Sequence, residues 1–181
     1  MSISMYAISV PPYQQMLSSL DFVLERASEF AREQGINEGD LMQRRFAHDM
    51  FTLAEQIRHG CMQLSFTIAR LAGVDVPDIQ MEPDTNIADA RARVAETLAF
   101  INSVTPEQME GDPDRIVDVK TRLAALKFGA LEHLVHYANP QVFFHMTTIY
   151  DLLRAEGVQI GKGDFLGHDF KAMIAAATKS Q

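Results

Sequence analysis

Phe46, Met50, Leu53, Ile57, Cys61, Leu64, Ile68 and Leu71 follow one another in steps of three and four. Apolar residues at that spacing share one stripe of an α-helix, whereas a strand would scatter them over both faces. The stripe predicts a helix from about Asp40 to Ala72, stopped by Gly73. Roughly 30 residues rising 1.5 Å each make a rod about 45 Å long. Such a rod buries its stripe best by lying along other long helices, as in a bundle.

The remaining segments supply those partners. A first helix is expected from Pro11 or Pro12 to Glu33, capped by Ser9 and ended by Gly35, with Tyr13, Met16, Leu17, Leu20, Leu24, Ala27 and Ala31 on its apolar face. Val74 to Pro83 carries two prolines and no stripe, so it reads as a long connector. Asp84 or Thr85 is the expected cap of a third helix bearing Ile87, Val94, Leu98, Ile101 and Val104. Thr105-Pro106-Glu107-Gln108 has the form of a capping box and opens a short turn. Arg115 to Lys120 is the best strand, with Leu123 to Phe128 as its hairpin partner. Helix resumes near Gly129, is expected to break at Asn139-Pro140, and restarts at Pro140 for a fourth long helix ending at Gly157. A glycine-containing segment from Gly161 to Gly167 and a short helix from Asp169 to Ala177 follow. The expected fold class is all-α, one domain over residues 1–181, with a small β-hairpin inserted before the last long helix.

Composition narrows the function classes. A net charge of −8 and no Lys/Arg cluster argue against nucleic acid as a partner, because phosphate contacts need a basic face. One cysteine, Cys61, permits no intrachain disulfide, and it falls on a helix stripe as a small buried hydrophobe. No run of about 20 apolar residues is present to span a bilayer, and Met1 to Val10 lacks a signal-peptide pattern. The expectation is a cytoplasmic protein. No phosphate-binding glycine loop and no serine nucleophile elbow occurs.

Candidate site residues come from helical phase. Measured from Phe46 at 100° per residue, Asp49 lies at about −60° and Gln56 at about −80°, both flanking the second-helix stripe, while His48 and His59 fall on the outer side. On the fourth helix, His145 flanks the Met146–Ile149–Leu153 stripe at about −60° and Tyr150 lies at about 80°. A polar pocket between the second and fourth helices is therefore expected, lined by Asp49, Gln56, His145 and Tyr150. Three readings of an Asp49–His145 contact stay open: a satisfied structural pair, two ligands of a metal, or an acid/base dyad or ligand clamp. His133 and His136, three apart, form a rival chelating pair.

The chain resembles an uncharacterised family grouped with the DinB/YfiT-like four-helix bundles. The resemblance rests on Ser4-Met5-Tyr6, Ser9-Val10-Pro11, Asp49-Met50, Gln56, Leu71-Ala72-Gly73-Val74, Asn139-Pro140, Phe144-His145, Tyr150 and, most specifically, Gly157-Val158 through Ile160-Gly161-Lys162 to Asp164-Phe165-Leu166-Gly167. It implies an up-down-down-up bundle with a long crossover, a homodimer, and in many relatives three histidines around a divalent metal (zinc, nickel or manganese). His145 matches the first of the last-helix pair, Ile149 stands where the second would be, and His48 or Asp49 falls at the second-helix position. Two functions follow as expectations: a protein that binds a small ligand or serves structurally, or a divergent metal-dependent hydrolase or transferase using Asp49 and His145 as ligands.

Overall fold

The computed structural model describes residues 4–121 and 123–179. Four long helices carry the fold: α1 (Val10–Gln34), α3 (Leu53–Ala72), α4 (Ile87–Ser103) and α7 (Asn139–Glu156). Between and after them come α2 (Glu38–Met42), α5 (Pro106–Met109), β1 (Ile116–Lys120), β2 (Ala125–Gly129), α6 (Ala130–Glu132), a π-helical turn (His133–Ala138), α8 (Lys162–Phe165) and α9 (His168–Lys179).

Side-chain contacts fix the direction of each rod. Arg91 meets Asp21 while Gln14 meets Asn102, so α4 runs against α1. Tyr13 bonds Asn139 at 2.7 Å and Gly157 approaches Phe30, so α7 runs with α1. Gln56, near the start of α3, meets His145, and the last turn of α3 meets the hairpin through the Arg115 guanidinium on the Leu71 carbonyl. Thus α3 runs against α7, and the bundle is up-down-down-up. The crossover from α3 to α4 spans residues 73–86. At about 3.3 Å per extended residue it reaches past the roughly 30 Å length of α3.

The crossover is tied down by charge. Arg93 of α4, 7% exposed, donates two bonds of 2.7 and 3.0 Å to the Asp84 carboxylate and others to the carbonyls of Gln80 and Glu82. Asp84 is thereby taken from the capping role expected of it. Asn86 caps α4 instead, accepting from the Asp89 N–H at 2.9 Å. Ser9 likewise flanks α1 without capping it, because its hydroxyl donates back to the Met5 carbonyl at 2.6 Å.

The second helix is not continuous. It stops at Met42, and α3 starts only at Leu53. Thr52 and Glu55 explain the restart. The Thr52 hydroxyl accepts from the Glu55 N–H, the Glu55 carboxylate accepts from the Thr52 N–H at 2.7 Å, and this reciprocal cap starts a new helix. Leu53, Ile57, Cys61, Leu64, Ile68 and Leu71 are buried as the stripe requires, whereas Phe46 is 50% exposed in the intervening segment.

The hairpin is antiparallel, with Val117 opposite Phe128 and Val119 opposite Leu126. Val117 and Val119 point inward, and strand boundaries lie one or two residues from those expected. The expected break at Asn139-Pro140 does not occur. The chain passes from α6 through the wide turn of residues 133–138 straight into α7. Pro140 sits in the first turn of α7, where the N–H it lacks is least missed. After α7 the tail folds back on α1, with Gln15 donating to the Leu166 carbonyl at 2.6 Å. At Gly167 (φ +89°) a Cβ would fall 2.7 Å from the Ser19 hydroxyl, so this crossing admits glycine alone.

Candidate functional site

The seam between α3 and α7 is tight at Gly60. A Cβ there would lie 3.0 Å from Met146 Cε and 3.5 Å from His145 Cβ. Glycine lets α7 approach, and that approach presses the flank of α7 carrying His145 onto α3. One turn before Gly60, Gln56 meets it: His145 Nδ1 lies 2.7 Å from Gln56 Oε1. Both side chains are buried, at 7% and 1% exposure. An amide oxygen only accepts, so Nδ1 carries the proton and Nε2 keeps its lone pair. Burial, reinforced by the neighbouring His59 ring, pushes the His145 pKa down to about 4, and the ring is neutral at pH 7.

Three further rings surround it. Phe51 stacks on His59 with centroids 4.2 Å apart and planes 10° from parallel. His59 stacks in turn beside His145 at 5.7 Å and 16°. Phe144 meets His145 edge-on at 5.4 Å. Phe51 and Phe144 are 42% and 53% exposed, so the group lies at the surface end of the seam. Arg58 Nη2 donates to His59 Nε2 at 2.8 Å, which places the His59 proton on Nδ1. Burial and then the Arg58 charge lower the His59 pKa, against a smaller opposing pull from Glu55. The arrangement presents two neutral, nearly parallel imidazoles beside two exposed phenyl rings.

Of the four residues expected in the pocket, Gln56 and His145 are together. Asp49 is exposed in the 43–52 segment and makes no hydrogen bond or ion pair among the described residues. Its inward phase assumed an unbroken helix through Phe46, and that helix stops before it. Tyr150 looks the other way, toward α1. It stands edge-on to Phe165 at 5.8 Å and lines a small apolar cavity of about 20 Å³ with Met16, Leu20 and Ile149. The residue that sequence phase missed is His59. It stands three after Gln56 on α3 but about 150° from the centre of the Leu53-to-Leu71 stripe, so helical phase alone sets it outside the seam. His133 and His136 do not converge: His133 is fully buried and His136 exposed. His133 lies against Phe128 and Tyr137 with neither ring nitrogen bonded, and burial, aided by the Arg70 charge, takes its pKa down to about 4.

The donor set does not fit a divalent metal. His145 alone is suitably prepared, its Nδ1 anchored and its Nε2 lone pair free. His59 Nε2 is taken by a guanidinium, Asp49 stands in solvent, and Ile149 is a core residue at 1% exposure. Among the described residues no three His, Cys, Asp or Glu side chains are grouped to hold an ion, whereas protein sites for such metals supply three or four ligands.

The family model described as a domain of unknown function, DUF1993, matches residues 5–166. A crystal structure of a DinB family member protein from Shewanella denitrificans is similar over 90% of this chain and 92% of its own, at 26% sequence identity and a TM-score of 0.78. No curated protein sequence matches the chain.

Proposed function

The chain belongs to the DUF1993 family of DinB-like helical bundles, and from that premise we propose that it is a small-ligand-binding protein whose site is the His59–His145 ring cluster at the surface end of the α3–α7 seam. One observation carries the reading. Gln56 fixes His145 in a single tautomer, leaving Nε2 as an unshared acceptor beside exposed aromatic rings. A buried amide that orients an imidazole already held by packing adds little to a core, but it does pre-set a recognition atom.

A metal-dependent hydrolase or transferase is the poorer reading for this chain, because among the described residues one properly prepared imidazole is at hand. We also propose the homodimer that the resemblance implies, with the exposed Phe46 and Phe143 in support. Sedimentation at micromolar concentration tests it, and a monomer would remove it. As to membranes, no helix among the described residues is long and apolar enough to cross one.

The test of the site is nuclear magnetic resonance of the full chain with a library of small aromatic compounds. Binders should perturb Phe51, His59, Phe144 and His145 together, and His145→Leu should abolish the effect. Perturbations confined to other residues, or stoichiometric zinc, nickel or manganese in untagged protein that is lost on His145→Ala, would overturn the reading.

A further inference from the structure

The hydrogen bonds of the ring cluster specify more than its position. Arg58 occupies Nε2 of His59, so His59 offers Nδ1–H. Gln56 occupies Nδ1 of His145, so His145 offers the Nε2 lone pair. Neither of these two offered atoms is bonded within the described residues, and neither is among the enclosed polar atoms left without a partner. The two rings thus leave one donor and one acceptor unshared, with centroids 5.7 Å apart and planes 16° from parallel.

That pair is matched by an uncharged flat group with a donor and an acceptor side by side, such as the N–H and C=O of a lactam edge. An anion could take the His59 N–H but would set its charge against the His145 lone pair. A cation could take the lone pair but would meet the Arg58 guanidinium and the His59 N–H. Phe51, stacked on His59, and Phe144, edge-on to His145, add exposed apolar surface beside the imidazoles for the body of a flat ring.

Building on the binding reading above, we infer that the ligand is an uncharged heteroaromatic compound carrying an adjacent N–H and C=O (or ring nitrogen), the N–H donating to His145 Nε2 and the carbonyl accepting from His59 Nδ1–H. A site that hydrogen-bonds a ligand N–H rejects the analogue lacking it, because its own acceptor is then left unpaired.

The test uses the full chain and four probes of one size: 2-quinolinone, its N-methyl derivative, 2-naphthoate and 2-naphthamidine. Affinity is read by calorimetry, and position by resonance shifts at Phe51, His59, Phe144 and His145. The expected result is that 2-quinolinone binds at these residues about tenfold or more tightly than the other three. His59→Phe, which keeps a ring in the stack, should weaken 2-quinolinone and its N-methyl derivative alike, because both lose the donor to the carbonyl while His145 Nε2 still selects the N–H. Naphthoate or naphthamidine binding best at the same residues would overturn the ligand class while leaving the site. No shift at these residues with any probe up to about 1 mM, weaker than roughly −4 kcal/mol, would overturn both. If His59→Phe fails to fold, His59→Gln, which keeps an N–H donor, must keep the preference for 2-quinolinone over its N-methyl derivative, and loss of that preference in folded protein counts against the inference.

Discussion

Replacing Gln56 by leucine removes the acceptor from His145 Nδ1 and leaves a donor facing an apolar wall. The bond is 2.7 Å long and both partners are buried, so solvent cannot replace the lost oxygen without opening the seam at Gly60. A buried donor stripped of its partner costs about 1–3 kcal/mol. In a chain of this length about 2 kcal/mol corresponds to a fall in Tm of roughly 4–8 °C. His145→Leu strands the Gln56 amide by the same logic and should cost a similar amount. The double variant Gln56→Leu/His145→Leu removes both polar groups and leaves nothing unpaired, so it should recover about 1–2 kcal/mol relative to the sum of the single losses. Urea denaturation of the four proteins at pH 7.5 measures this coupling. Single losses that add to within about 0.5 kcal/mol would mean that the two side chains do not depend on each other, and the argument from His145's fixed tautomer would fail.

Three further outcomes are expected. His133 and His145 both have folded-state pKa values taken down by burial to about 4 from 6.5, so between those values the unfolded chain binds more protons. Their stabilising contribution is complete above pH 6.5 and is lost as pH falls toward 4, by at most about 3 kcal/mol per ring. Urea midpoints at pH 7.5, 6 and 5 should fall in that order and fall less in His133→Leu, and an equal fall in the variant would refute the assignment. Asp84→Ala strands Arg93 and should cost about 3–5 kcal/mol by the same denaturation assay, with Asp84→Asn milder. Asp49→Ala should change stability by less than about 0.5 kcal/mol, and a larger loss would show that this carboxylate has a partner.

Period and punctuation carried the bundle. The Leu53-to-Leu71 stripe, the Tyr13-to-Ala31 stripe, and the glycines at 35, 73 and 157 are properties of single segments, and tertiary packing had only to accept them. The error lay where two local signals competed. Phe46 and Met50 continue the second-helix period, but Thr52 with Glu55 starts a helix afresh, and the reciprocal cap prevailed over two apolar matches. Asp49 therefore lies off the helix whose phase would turn it inward, whereas His59 is on α3 but outside its stripe and joins the site only through the rings beside it.

His145 was legible because it sits in the middle of an uninterrupted stripe. Gln56 was legible because it lies within a turn of the true helix start. The side of α7 facing each neighbour was not legible. His145 turns to α3 and Tyr150 to α1, and a stripe's flanks are assigned only once the partners stand on known sides. The Arg58–His59 bond, which settles the second tautomer, joins adjacent residues and follows no helical rule.

The position of the His145 proton decides whether the site offers an acceptor. Long-range ¹H–¹⁵N correlation spectra of the imidazoles, followed from pH 8 to 4, read both tautomer and titration. The prediction is an Nδ1–H tautomer for His145 that does not begin to charge until well below pH 6.5, shifting toward Nε2–H in Gln56→Leu. A wild-type His145 protonated at Nε2, or titrating at the value of a free imidazole, would contradict it.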